Sequence, residues 1–325
     1  MGEEIMKILW IPILVVLAWI LLASGANAAP ADFYKGKVLT YICGGAAGSN
    51  YDTYARLVSR YMTEVLPETT IVVKNVVGAG HMLATNELYH AKSDGLTIGT
   101  FNTGMIYSQL VENKNIKFDM TKFSYIGKVT TDPRAVLVST RTNIFTPEDL
   151  KGRTKLKFAT DAAGSSSYNE TMILKNVLQW NVDVIAGYNG NEDHLAIMRG
   201  EIDGQLGSLS SHKQFVADGH ARFIMQVGGK NQTNIRGAEA AMALIGAQAT
   251  LGRMTAAPPN VPSERLQILI DAYRHALENP KLLADADKAK MPIDPLYGEN
   301  VLNMVRAALQ QDTSTVRILK NVIPE

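Results

Sequence analysis

Cysteine is all but missing. Cys43 is the one thiol in 325 residues, which excludes a disulfide within the chain and a cysteine-built zinc site. Stability must then come from core burial, which a chain of this length can supply. No activating pattern surrounds Cys43, and it reads as a small buried hydrophobe at a strand end. Charge of one sign is also missing. The 32 Lys and Arg are balanced by 31 Asp and Glu, for a net charge of +1. With no basic stripe, nothing supports nucleic-acid binding or charge-driven attraction to a membrane surface. Beyond residue 23 no run approaches the ~20 apolar residues of a spanning helix, so the mature protein is expected to be soluble.

The motifs of common chemistries are missing as well. His81, His90, His194, His212, His220 and His275 are scattered without metal-ligand spacing and read as surface or core imidazoles. Gly48 lacks the Lys-Ser/Thr pair of a phosphate loop, and Gly78-x-Gly80 has Leu83 where a dinucleotide fingerprint needs glycine. Gly164-Ser165-Ser166-Ser167-Tyr168 lacks the second glycine of a nucleophile elbow. Glu201, Asp203 and Asp294 sit at element ends, where capping accounts for them. No cofactor, metal or catalytic group is expected, and the chain does not read as an enzyme.

What is present begins with export. Met6 and Lys7 precede an apolar run from Ile8 to Ala23, then Ser24-Gly25-Ala26-Asn27-Ala28-Ala29 supplies the A-x-A arrangement of a signal-peptidase site. Cleavage after Ala28 is expected, with residues 1–28 as signal peptide and a periplasmic mature chain. The alternative is an uncleaved anchor, for which the run is at the short limit. The 46% hydrophobic and 19% charged residues are ordinary for a globular protein, and the length suits two modest domains.

The spacing predicts strands at Val38–Cys43, Ile71–Lys74 and Leu96–Gly99, with helices at 52–66 and from Gly78-Ala79-Gly80 to Tyr89. The same grammar predicts strands at Ala135–Ser139, Leu156–Ala159, Val182–Ile185 and Phe223–Val227, one shortly after Gly204, and a capped short helix at Thr146–Leu150. Helices are predicted from the loop at 161–167 through Trp180 and from His194 to Arg199. The last third, after the rigid Pro258-Pro259-Asn260-Val261-Pro262, reads as mostly helical. Alternation of this kind predicts βαβ units and a parallel sheet.

Two loops share one logic. Gly44-Gly45-Ala46-Ala47-Gly48-Ser49-Asn50 and Ala162-Ala163-Gly164-Ser165-Ser166-Ser167 each follow a strand, consist of small residues and run into a helix. A helix start exposes unpaired N–H groups and partial positive charge, which suits an anion. Small side chains let a ligand reach the backbone. The plainer reading is that Ser, Asn and Gly are good helix caps; two such loops, one in each half, bring the binding reading level with it. Four hydrogen bonds to a charged group contribute about 6–12 kcal/mol gross, against ~8 kcal/mol for a micromolar complex before association costs. The figures allow micromolar binding without an arginine, and no more than that.

Gly48-Ser49-Asn50-Tyr51-Asp52-Thr53-Tyr54-Ala55-Arg56 resembles the first ligand loop and helix of the tripartite tricarboxylate transporter receptors, the Bug proteins, whose pattern is Pro-Phe-x-x-Gly-Gly-x-x-Asp, two residues, then Ala-Arg. The resemblance continues at Val76–Gly80, Ser93–Thr100, Gly187-Tyr188-Asn189-Gly190, Met198–Gly204 and Ala257–Pro262, in order along nearly all of the mature chain. Gly44 and Gly45 replace the usual Pro-Phe, Ser49 replaces the second glycine, and Tyr168-Asn169 stand where many members have histidine. These departures bear on the ligand's identity.

The resemblance implies an α/β chain with the type II periplasmic-binding-protein fold: two α/β domains joined by two crossovers, with a ligand cleft between them. Residues 29–132 plus 254–325 would form domain I, and 133–253 domain II. Ala47, Gly48, Ser49, Asn50, Tyr51 and Asp52 would form one wall of the cleft, and Gly164, Ser165, Ser166 and Ser167 the other. Phe101, Asn102 and Thr103 would line it from domain I, and Gly207, Ser208 and Leu209 from domain II. Tyr51 and Phe101 would pack on the body of the ligand. Asp52 would cap its helix and fix the loop, since a carboxylate repels an anion. The implied function is capture of a small di-, tri- or aromatic carboxylate by a monomer, which closes around it and docks on a membrane permease. The alternatives are a periplasmic hydrolase or isomerase using Ser166 and a distant histidine such as His194, and a ligand-sensing partner of a sensor kinase.

Overall fold

The computed structural model describes residues 30–323, apart from 153 and 189–190. The expected signal peptide and Asn189-Gly190 lie outside the described residues. The first stretch holds β1 (Val38–Cys43), α1 (Asn50–Met62), β2 (Thr70–Asn75), α2 (Met82–Tyr89), β3 (Thr97–Phe101), α3 (Gly104–Leu110) and β4 (Ser124–Lys128). The middle holds β5 (Arg134–Ser139), β6 (Leu156–Thr160), α4 (Ser166–Leu178), β7 (Val182–Ala186), α5 (Glu192–Arg199), β8 (Gly204–Ser208), α6 (Leu209–Ala217) and β9 (Ala221–Val227). The last stretch holds α7 (Glu239–Thr250), β10 (Met254–Ala257), α8 (Ser263–Glu278), α9 (Pro280–Lys288), β11 (Leu296–Tyr297), α10 (Glu299–Leu309) and α11 (Thr313–Val322).

Local chemistry sets these elements. Ser49 caps α1, and Tyr54, Leu57, Val58 and Tyr61 form its buried stripe. The helix stops at Met62, earlier than the predicted 66, and Val65 stands 37% exposed beyond it. Pro147 opens a single 3-10 turn behind Thr146, where a short helix is predicted.

Two sheets result. The first runs β11-β4-β10-β3-β1-β2 and the second β7-β6-β8-β5-β9. The predicted parallel sheet is correct only in part. β2, β1 and β3 pair in parallel, as do β7, β6 and β8. β10 runs antiparallel to β3 and β4, and β5 runs antiparallel to β8 and β9. The antiparallel strands are those that the chain enters on leaving the other sheet. It crosses between β4 and β5 and returns between α7 and β10, so those strands need no crossover helix.

Each sheet carries its own core. Tyr41, Val58, Leu269 and Tyr273 centre one cluster on the first sheet, and Phe158, Leu174, Leu206 and Ile245 centre one on the second. Leu319 and Ile323, at the end of a stretch that sequence reasoning assigns to the first domain, join the second cluster. Among the described residues no helix is long and apolar enough to cross a membrane.

Candidate functional site

The two small-residue loops are built alike. Ser49 takes φ −68°, ψ 163° before α1, and Ser165 takes φ −67°, ψ 163° before α4. Each hydroxyl accepts the backbone N–H three residues on, from Asp52 at 3.4 Å and from Tyr168 at 3.2 Å. Gly48 and Gly164 precede them at φ +80° and +86°, a left-handed turn that glycine makes without strain. Asp52 accepts Gly48 N, Arg56 Nε and Asn75 Nδ2, each at 2.9 Å. Burial works against its charge, but the Arg56 guanidinium and the Gly48 N–H prevail and hold the carboxyl below its usual range. The carboxylate is spent on fixing the loop.

Between the lobes lies a cavity of about 180 Å³, smaller than the ~300–1,000 Å³ of drug-sized pockets. Ser49, Asn50, Tyr51, Asn102 and Thr103 line it from the first lobe, and Ser166, Ser167, Gly207 and Ser208 from the second. The other expected residues lie elsewhere. Ala47 and Gly48 are exposed and do not line the cavity. Asp52, Gly164 and Ser165 stand behind the cavity wall rather than in it. Phe101 is a correction: it is 1% exposed, packs on Phe123 with ring centroids 5.3 Å apart, and turns into the core.

The lobes meet across the cleft. Asn50 Nδ2 donates to Ser211 Oγ of the second lobe. A Cβ on Gly80 would stand 2.6 Å from Ser165 N, and one on Gly104 2.6 Å from Ser166 N. Only glycine lets backbone come this close to backbone.

Sequence reasoning missed the charged and imidazole groups of the cavity. Arg253 Nη1 meets Asp132 Oδ2 at 2.6 Å, with both side chains 5% exposed, at the two crossovers. Asp132 also accepts the hydroxyls of Ser208 and Ser210. Burial alone would raise its carboxyl, but Arg253 and these hydroxyls hold it at about 2. Arg134 Nε meets the fully buried Glu170 at 2.5 Å. His81, His194 and His212 reach the cavity too. The His81 ring sits edge-on to Tyr51 at 4.7 Å and fills the space where a Cβ on Gly44 would be. His194 Nε2 is engaged by His212 Nδ1 at 2.8 Å, and its ring stacks on Phe215 at 4.1 Å. The available signal was a lone arginine beside apolar strand residues, at Pro133-Arg134-Ala135 and Gly252-Arg253-Met254.

Burial pushes His81 and His194 down to about 4 and His212 to about 3. Unfolded imidazoles titrate near ~6.5, so between these values the unfolded chain binds more protons and stability falls as pH drops. Burial raises Asp193 to about 6 and lifts Glu170 as well, which works in the opposite direction. The clean readout is therefore a variant. Replacing His194 and His212 together with Gln should raise the urea midpoint at pH 5 relative to that at pH 7. An unchanged ratio would mean that these rings are charged in the folded chain.

Two α/β lobes joined by two crossovers, with a helix-start loop from each facing one small cavity, define a two-lobed solute-binding protein. Residues 54–322 match the tripartite tricarboxylate transporter family receptor, and the chain belongs to that family, whose members are periplasmic solute-binding receptors. A UPF0065 protein of Bordetella bronchiseptica is 29% identical over 157 residues, covering 47% of this chain and 46% of that protein. Another, from a tcbD–tcbE intergenic region of a Pseudomonas species, is 25% identical over 209 residues, 61% of each. The match thus spans about half the length of these curated relatives. The periplasmic binding protein BugD superposes with TM-score 0.75 at 18% identity, over 90% of this chain and 100% of that one. MatC from Rhodopseudomonas palustris, solved with bound malate, gives 0.70 at 19% identity over 89% and 99%. An R. palustris protein solved with adipate gives 0.72 at 17% identity over the same shares. At these identities the likeness carries the fold.

Proposed function

We propose that this chain captures a small organic carboxylate between its lobes in the periplasm, after loss of residues 1–28, and presents it to the membrane permease of a tripartite transporter. One observation carries the reading: two helices of 13 residues, one from each lobe, begin with matching caps at the same cavity. Their free N–H groups and dipoles favour negative charge there. Malate in MatC and adipate in its relative fit a carboxylate of modest size. In this reading the two moving bodies are 29–132 plus 254–325 and 133–253, with the tail around Leu319 and Ile323 packed on the second and Asp132 and Arg253 at the hinge. A ligand that touches both loops binds the closed arrangement better than the open one, which is what shifts the population.

The test is a thermal-shift panel of small carboxylates with their amides and esters. A true ligand at a hundredfold excess over its dissociation constant should stabilise the protein by about 2.7 kcal/mol, and its amide should not. Shifts with neutral or cationic solutes alone would overturn the carboxylate reading and leave the fold untouched.

A further inference from the structure

Gln248 is fully buried on the last turn of α7, at the hinge wall of the cavity. Neither its amide nitrogen nor its amide oxygen has a partner among the described residues. Of the polar groups around the hinge, several are already committed. Asp132 is taken by Arg253, Ser208 and Ser210, the Ala249 carbonyl by Asp132 N, and the carbonyl of Gln248 itself by Leu251 N. A buried amide left in this state is costly, and natural structures rarely leave one so. Beside it, Arg253, 4% exposed, has an unpartnered Nε.

An amide presents one donor group and one acceptor, whichever way round it is placed. A carboxylate satisfies only the donor, and an ammonium only the acceptor. A hydroxyl satisfies both at once. Resting on the carboxylate reading above, we propose that the ligand is a hydroxy-substituted carboxylic acid whose hydroxyl is read by Gln248 at the hinge end of the cavity. The helix starts of α1 and α4 then hold the carboxylate, and Gln248 sets the specificity. A cavity of about 180 Å³ leaves little room for a long linker between the two groups.

Calorimetric titration of four- to six-carbon dicarboxylates, each paired with its 2-hydroxy derivative, tests this on the wild-type protein and on Gln248→Leu. The wild type should bind the hydroxy acid about tenfold more tightly than its parent, the factor of one well-made hydrogen bond. In Gln248→Leu the two should bind within about threefold of each other. Equal binding by the wild type, or a preference that persists in Gln248→Leu, would overturn the assignment of Gln248 and leave carboxylate capture standing; water would then be what completes the amide. Tighter binding of the 2-amino derivative would also overturn it, since the required donor would then be a cation. Failure of every acid to bind removes the carboxylate reading itself, and this inference with it.

Discussion

Arg253→Met is expected to lower the unfolding free energy by about 3–5 kcal/mol, the range seen when one member of a buried ion pair is removed. The cause is less the lost attraction than what is left behind. Asp132 is 5% exposed, and without the guanidinium its charge remains buried with the Ser208 and Ser210 hydroxyls and the Ser210 backbone N–H, none of them charged, as partners. The guanidinium also lies over the rings of Tyr54 at 4.7 Å and Tyr51 at 5.4 Å, and methionine restores only part of that contact. Urea unfolding followed by far-ultraviolet circular dichroism, which reads the helices of both lobes, measures the loss. The double variant Arg253→Met with Asp132→Asn should recover more than half of it, because no buried charge is then left over. A double variant as unstable as the single would trace the effect to packing instead. The pair joins the outgoing crossover to the returning one, and through Ser208 it reaches the start of α6. The effect should therefore appear in the unfolding of both lobes.

How far the sequence foretold this arrangement depended on whether the cause was local. β1, β2 and β6 are short β-rich segments bounded by turn residues, and all three are where the sequence predicts them. β10 was missed because Met254-Thr255-Ala256-Ala257 carries two alanines, which have little strand preference; its place between β3 and β4 supplies what the residues do not. α7 was missed for a related reason. Glu239–Thr250 has apolar residues all round, with Ala241, Met242, Leu244, Ile245 and Ala249 buried, so no stripe marks it as helix. The cradle loops were legible because their features are local: a strand, small residues, a cap. Phe101 was misplaced because four of the five residues of β3 are buried, on both faces, and alternation cannot then say which side chain meets the cleft. The pairs Arg253–Asp132 and Arg134–Glu170 span 121 and 36 residues, and nothing local in the sequence announces such partners.

Ser166→Asp separates a ligand cradle from a mere helix cap, because the two roles predict opposite outcomes. As the first residue of α4, an aspartate is favoured by the helix dipole by about 0.3–1 kcal/mol, so the empty protein should melt no lower than the wild type. As part of the cavity wall, the same charge faces the carboxylate. Two like charges ~4 Å apart at an effective dielectric of ~20 repel by about 4 kcal/mol, and even half of that leaves a loss of roughly thirtyfold in affinity. The full figure approaches a thousandfold. The loop cannot easily turn the new side chain away by shifting its backbone, since Ser166 N already lies against Gly104 and Ser165 N against Gly80. Ser166→Ala keeps the backbone N–H and removes only a hydroxyl, so it should cost less than about tenfold. Calorimetry with the carboxylate identified by the thermal-shift panel reads both variants. Undiminished affinity in Ser166→Asp would mean that the anion rests elsewhere in the cavity, leaving Arg134, Arg253 and His81 as the groups that hold it.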